Sequence, residues 1–315
     1  MSRQKICVMG SYVTDLTART PHLPAPGETV LGTQFKMGPG GKGGNQAVAA
    51  KRAGGDVFFI TKVGKDIFGD LAINCFKEEE IHSLGVFIDA KCVTGTALIA
   101  VDDRNENNII VVPGASAQFT HSDVKQCEPI LKTCKFLLVQ LEANVDATQE
   151  VMQIAKENGT GVILNPAPVQ AISPSFISMV DIITPNEVEA EILTGQPVKD
   201  EQDCAKAANA FFAKGVKKVV ITLGGKGSYC NDGENEMFLP PYPAKVIDTT
   251  GAGDAFNGGF VKALADGKDF FEAAAYACVV AGLSVQKFGT APSTPYQKEI
   301  EEALPLYAKQ ISEAK

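Results

Sequence analysis

Six short apolar runs, each closed by turn-forming residues, punctuate the chain at 5–11, 56–64, 135–142, 161–167, 181–186 and 217–225. They read "KICVMGS", "DVFFITKVG", "KFLLVQLE", "GVILNPA", "DIITPN" and "KKVVITLGG". Such runs fit strands covered on both faces, as in a parallel sheet. Between them lie stretches with helical spacing at 45–55, 66–81, 146–159, 187–195 and 201–215. Most of these end at glycine, the residue a helix C-terminus favours. Strand and helix alternating over this length predict an α/β fold, a three-layer αβα sandwich around a mostly parallel central sheet. No repeat or low-complexity linker interrupts the pattern, so a single domain over 1–315 is expected.

Two stretches break the rhythm. "ETVLGTQFKMG" (28–38) and "TGTALIAVDDRNENNIIVVPG" (94–114) alternate polar and apolar residues, and the second contains a hairpin-like "DDRNEN". They predict short strands inserted at about 12–40 and 94–114, forming a small separate sheet that acts as a lid. Both faces of "TALIAVD" and "NIIVVP" look apolar. A sheet of that kind exposes hydrophobic surface unless it meets a partner, which points to a homodimer through the lid.

Composition narrows the function classes. With 45% hydrophobic and 21% charged residues in 315, the chain can bury a large core and is not a disordered polymer. A net charge of −8 without a basic cluster argues against a nucleic-acid surface, while still allowing a phosphate held by backbone amides. No apolar run approaches the roughly 18 residues of a membrane span. The start "MSRQKICVMGS" enters a strand at once and leaves no room for a signal peptide, so a cytoplasmic protein is expected. Eight cysteines without a CxxC pair, and three scattered histidines, read as buried small hydrophobes rather than zinc ligands or disulfides. So few histidines also argue against a Ser-His-Asp mechanism.

In open α/β sheets, ligands sit at the carboxyl ends of the strands. The polar signals expected at those ends are Asp15, Glu142, "NPAP", "TPNE", "TLGGKG" and, after a strand read at 245–249, "DTTGAGD". In "DTTGAGDAF" (248–256) the glycines fall at a strand-to-helix turn, where free N–H groups and the positive helix end form an anion site. Asp254 lies in the first turn beside it, where the helix N-terminus favours the ionised carboxylate. "GPGGKGGNQ" (38–46) has G-x-G-x-x-G spacing, but it follows the lid-like segment rather than the first strand. Lys42 is followed by Gly43 where a Walker loop needs Ser or Thr. The segment therefore reads as a glycine-lined turn that offers Lys42 and Asn45 to a small polar ligand.

Together, "GGKGGNQAVAA", "NPAP", "TPNE" and "DTTGAGDAF" resemble the signatures of the ribokinase (PfkB-type) carbohydrate kinase family, over nearly the whole chain and including "KFGTAPS". The resemblance implies ATP-dependent phosphorylation of a pentose at its 5-hydroxyl, with D-ribose expected and 2-deoxyribose or another furanose as the alternative. It also implies a β-clasp homodimer, Mg²⁺, and activation by a monovalent cation such as K⁺. By the same resemblance Asp254 is the catalytic base, and Gly251, Ala252 and Gly253 form the anion hole. Sugar contacts fall on Val13, Thr14, Asp15, Gly41, Lys42, Gly43, Gly44, Asn45, Glu142 and Asp254. Those to ATP fall on Asn186, Thr222, Leu223, Gly224, Gly225, Lys226, Gly227, Gly253, Asp254 and Cys278. Asn186 and Glu189 match the pair that organises Mg²⁺, largely through water and phosphate. Asp248, Thr250, Ser284, Lys287, Gly289 and Ser293 match positions around the monovalent cation, Lys287 through its carbonyl alone. Two positions depart from the family pattern: Val13, where a sugar-binding Asn is common, and Cys278, where His or Asn is common. A non-catalytic sensor on the same fold would be expected to have lost Asp254 or the anion-hole glycines, and both are present.

Overall fold

The computed structural model describes residues 4–104 and 106–313. The chain opens with β1 (Lys5–Met9), β2 (Val13–Arg19), β3 (Gln34–Gly40), α1 (Lys42–Arg52), β4 (Asp56–Gly64) and α2 (Ile67–Glu78). Next come β5 (His82–Asp89), β6 (Thr94–Val101), β7 (Asn107–Gly114), α3 (His121–Leu131), β8 (Cys134–Val139) and α4 (Val145–Glu157). The middle holds β9 (Gly161–Leu164), α5 (Pro174–Ile177), β10 (Ile182–Ile183), α6 (Glu187–Thr194), α7 (Glu201–Phe212) and β11 (Lys218–Thr222). It closes with β12 (Ser228–Asn231), β13 (Glu236–Leu239), α8 (Ala252–Ala265), α9 (Phe270–Ser284) and α10 (Gln297–Glu313).

Nine strands form one sheet in the order β13-β12-β11-β10-β9-β8-β1-β4-β5. All its neighbours pair in parallel except β11–β12 and β12–β13, which form an antiparallel edge. Alternate residues of the central strands feed two different cores. Ile6, Val8, Leu138 and Val220 pack with α1, α8 and α9 on one face. Cys7, Met9, Leu137, Val139 and Ile221 pack with α3, α4 and α7 on the other. That double burial is why the strands are apolar throughout, and it makes the three layers the sequence predicts. Six of the eight cysteines are buried, and all eight are free thiols. No helix among the described residues is long and apolar enough to cross a membrane.

The second sheet has four strands in the order β3-β2-β6-β7, with β2 and β6 parallel and the outer pairs antiparallel. Its apolar surface is exposed, including Phe35 at 68% and Ile110 at 63%. The turn "DDRNEN" joins β6 to β7, where the Asp102 carboxylate accepts the N–H groups of Arg104 and Glu106; Asn105 lies outside the described residues.

Four expectations are corrected. Residues 245–249 form no strand: the N–H groups of Ile247 and Asp248 donate to Val285 O at the end of α9, so no strand partner is left for them. Asp15 does not end the first strand, because the chain turns at 10–12 and Asp15 sits inside the lid strand β2. The lid stretch 28–38 becomes strand only from Gln34. Finally, "GGKGG" is not a loop: α1 begins at Lys42, so Gly43 and Gly44 lie in its first turn. Gly43 is needed there, since a Cβ would come within 2.7 Å of the Gly10 backbone.

Candidate active site

From β1 in the middle of the sheet the chain first builds toward β4 and β5, then returns to add β8, β9, β10 and β11 on the other side. Strand order therefore reverses between β1 and β8, and the crevice at their carboxyl ends is where such folds hold ligands. Two helix N-termini point into that crevice. The α2, α3, α4, α5, α6, α7 and α9 helices each begin with a side chain that accepts a first-turn N–H. By contrast, α1 and α8 start at Gly41 and Gly251 without a side-chain cap. On α1 the Gly44 N–H donates to Ser11 O and on α8 the Ala252 N–H donates to Thr249 O, so on α8 the Gly253 and Asp254 amides are the ones left for a ligand. On α1 the Lys42 N–H donates to Glu142 at 2.8 Å. A Cβ added at Gly253 would meet no atom within 4 Å, so the first turn of α8 faces open space.

Asp254 occupies that turn and is buried, at 7% exposure. Its two oxygens are each held from α1. Asn45 Nδ2 donates to Oδ2 and Gln46 Nε2 to Oδ1, both at 2.9 Å. Gln46 also donates to Asn165 Oδ1 at 3.0 Å and accepts from Gln140 Nε2 at 2.6 Å, so its amide orientation is fixed from just beyond the ends of β9 and β8. Burial raises the Asp254 pKa above the ordinary carboxylate value, and Glu142 adds to the rise. The Lys42 ammonium and the Gln46 and Asn45 bonds oppose that rise. The helix N-terminus alone does not keep this group ionised, as its place in the sequence suggested, because desolvation is the largest influence on it. Lys42 is raised in turn, by Asp254 first.

The predicted sugar-side residues converge around this carboxylate from three segments. Glu142 accepts from Ser11 Oγ and from the Lys42 backbone. Asp15 accepts from Thr290 Oγ1 at 3.3 Å. Burial lifts the Asp15 pKa to about 7, with Glu142 and Asp254 adding to the rise and Thr290 opposing it. Thr14 Oγ1 and Asn45 Oδ1 are buried without a protein partner among the described residues. Orphaned polar atoms of that kind are expensive unless a ligand hydroxyl meets them. Val13 is buried at 2% exposure and offers no polar group there.

On the other side of Asp254 a cleft of about 840 Å³ opens, and Lys42, Gly253 and Asp254 all line it. Of the predicted nucleotide residues, Asn186, Thr222, Gly224, Gly225, Gly227 and Cys278 line the cleft as well. Two do not. Leu223 is buried in the core, and Lys226 pairs with Glu187 at 3.3 Å. Asn186 and Glu189 form the reciprocal cap of α6, which commits one oxygen of each to a backbone N–H. Burial raises the Glu189 pKa. One carboxylate and one amide lining this cleft fit Mg²⁺, which takes few protein ligands beside phosphate oxygens.

Of the predicted cation residues, Asp248, Thr250 and Gly289 are joined by hydrogen bonds next to the α8 turn. Asp248 accepts from Thr250 N–H at 2.9 Å, Thr250 Oγ1 at 2.6 Å and Gly289 N–H at 3.0 Å. Burial opposes its charge, but these bonds, with Arg19 nearby, hold its carboxyl below the ordinary value. Lys287 extends away to Glu299 at 2.7 Å, which leaves only its carbonyl on this side. The Ser284 and Ser293 hydroxyls donate to local carbonyls. One carboxylate amid carbonyls fits a hard monovalent ion, and among the described residues no group of His, Cys, Asp and Glu suits a transition metal.

Sequence reasoning missed Ser11, Gln46, Gln140 and Thr290 as site residues, and had Asn165 only as the first residue of "NPAP" at a strand end. Gln140 had a signal, a lone amide ending the apolar run "KFLLVQ", and Gln46 directly follows a chosen residue. Thr290 lies in "KFGTAPS", far from Asp15 in sequence, and nothing local links the two.

Residues 3–297 match the model of the pfkB family carbohydrate kinases. A ribokinase of Haemophilus influenzae is 42% identical over 302 residues, covering 96% of this chain and 99% of that protein. A deoxyribokinase of Salmonella typhimurium is 35% identical over 302 residues, with the same coverage of 96% and 99%. Among solved structures, Arabidopsis thaliana ribokinase complexed with ribose and ATP superposes with a TM-score of 0.89 at 29% identity, covering 96% of this chain and 99% of that one.

Proposed function

This chain belongs to the pfkB family of carbohydrate kinases, and from that premise we propose that it transfers the γ-phosphoryl group of ATP to the 5-hydroxyl of D-ribose. The observation that carries the reading is Asp254, a buried carboxylate in the uncapped first turn of α8, held by Asn45 and Gln46 where the sugar-side residues meet the cleft. In the transfer the sugar oxygen bonds to phosphorus as the bond to the ADP oxygen breaks, and the hydroxyl proton passes to Asp254. Phosphoryl transfer needs positioning and charge neutralisation more than covalent help. The Gly253 and Asp254 amides of the α8 turn and the Lys42 ammonium supply donors to the moving group without adding a competing nucleophile. Asp15, Asn45 and Glu142 orient the sugar, and Thr14 and Asn45 offer it their unpartnered oxygens. Asn186 and Glu189 would hold Mg²⁺, which neutralises phosphate charge when bound. The segments 248–250 and 284–293 would hold K⁺ and so fix the shape of the anion turn. A second copy would cover the exposed apolar lid.

Val13 favours a second reading, 2-deoxyribose, because an apolar side chain gives a ring hydroxyl no hydrogen bond. An ATP-consumption screen over pentoses and deoxypentoses, with K⁺ and Mg²⁺, separates the two. We expect D-ribose to give the highest kcat/KM and Asp254→Asn to lower kcat by at least about 10² while nucleotide still binds. A higher kcat/KM for 2-deoxyribose would replace the substrate. Near-normal turnover in the Asp254→Asn variant would remove the base assignment.

A further inference from the structure

At the opposite edge of the main sheet, where β8, β9, β10 and β11 begin, lies a second hollow of about 670 Å³. It is remote from the active cleft. Its wall includes Leu264 at the far end of α8, whose first turn carries Gly253 and Asp254. Fourteen helical residues at 1.5 Å each put about 21 Å between those ends. Nothing in the kinase chemistry uses this face.

The hollow concentrates positive charge on a protein of net charge −8. Five lysines line it, Lys135, Lys156, Lys217, Lys218 and Lys268, against two carboxylates, Asp181 and Asp269. One carboxylate serves two of the ammoniums: Asp181 takes both Lys156 and Lys217 at 2.8 Å, besides the Val162 N–H. Asp269 is committed to capping α9 through the Glu272 N–H, and neighbouring Asp266 pairs with Lys262. Among the described residues Lys135 contacts the Leu264 carbonyl, at 3.3 Å, and the face of Phe136. Lys218 lies over Phe270, 5.1 Å from the ring centre. Five charges against two leave three in excess around one concavity.

Part of the lining is of a different character. Phe136, Ile182, Leu264 and Phe270 line the same hollow, so the cations stand among apolar side chains. Phosphate suits lysine point charges, and apolar side chains beside them add affinity for a ligand that also carries hydrocarbon surface. We propose that this hollow binds a small organic phosphate monoester, a dianion carried on an aromatic or other apolar group, at a site separate from the kinase centre.

The test is a fluorescence titration of the full chain with 1-naphthyl phosphate, with the active cleft saturated by ADP and Mg²⁺. The expected result is saturable binding of one probe per chain, at least about tenfold tighter than 1-naphthol or inorganic phosphate alone and weakening as salt rises. Replacing Lys135 and Lys218 together by Gln should weaken it at least about tenfold while sugar-dependent turnover and the thermal midpoint hold. Should that double variant fold poorly, Lys268→Gln on the exposed turn gives the same comparison with a smaller loss. Absence of saturable binding in the ADP-loaded protein overturns the proposal. So does naphthyl phosphate binding no tighter than phosphate, or unchanged affinity in the lysine variants.

Discussion

Gln46 touches Asp254, Asn165 and Gln140 at once, so one amide links the proposed base to residues just beyond the ends of β9 and β8. Its bond favours the ionised carboxylate and thereby opposes the upward push of burial. Gln46→Leu removes that support. The acid limb of kcat/KM should move to higher pH, with the loss confined to its acid side, since a hydrogen bond to a charged group favours the charged form. An unmoved limb in a folded variant would mean Gln46 only fills space. Asp15 makes a separate prediction for stability. Its folded pKa of about 7 lies above the ordinary carboxylate value of 3.8, so between those pH values the native state binds the proton more tightly than the unfolded chain. The stability it contributes is therefore present at low pH and lost as pH rises through about 7. Denaturant melts of Asp15→Asn should show less decline than wild type from pH 5 to 8, with a difference of at most a few kcal/mol, each pKa unit being about 1.4 kcal/mol. Parallel pH profiles for the two proteins would count against the raised pKa.

At the scale of elements, the amides of the α8 turn are only as well placed as the segments behind it. Gly251 is left-handed at φ 76°, and the turn stands against Thr290 from the 284–293 segment. Asp248 ties the two segments together through Thr250 and Gly289. K⁺ at this junction should raise kcat several-fold over Tris at equal ionic strength, and Asp248→Ala should remove most of the gain. Equal rates in K⁺ and Tris, with Asp248→Ala lowering only the melting temperature, would leave Asp248 a turn-forming residue. Arg52 supports the same region from α1. Its guanidinium donates to the carbonyls of Ala291, Pro292 and Thr294 and is fixed by Glu79.

For the whole molecule, one face of the lid presents Phe35, Met37, Leu98, Ile110 and Val112 to solvent, each more than 40% exposed. An apolar face of that extent on a protein of this charge calls for a partner, and a second copy supplies a matching apolar face without further assumption. Sedimentation should give about twice the 33.3 kDa chain mass. Ile110→Glu, directly opposite Leu98 on the lid, should shift the protein to monomer and raise the KM for sugar, because the lid strand β2 also carries Asp15. A monomeric wild type would leave the lid face without its proposed partner.

The three-layer core was legible in sequence because strands buried on both faces must be apolar throughout, and β4 at 56–64 follows its run to the residue. The anion turn was legible for a similar reason: Gly251 to Asp254 is local chemistry, a helix start written in four consecutive residues. What the chain could not declare was which surface its exposed-looking segments would meet. "AKVID" has a strand's composition but spends its N–H groups on the end of α9, a partner about 40 residues away. Asp15 left the main sheet for the lid because the chain turns after β1, and only there does it face Thr290. The same holds for the environment of Asp254. Its sequence neighbours suggest a carboxylate kept ionised by a helix end, whereas the fold buries it and brings Lys42, Asn45 and Gln46 from some 210 residues away to offset that burial. Local backbone chemistry is set by adjacent residues. Desolvation and charge balance depend on every group packed around a site, and tertiary structure alone assembles those.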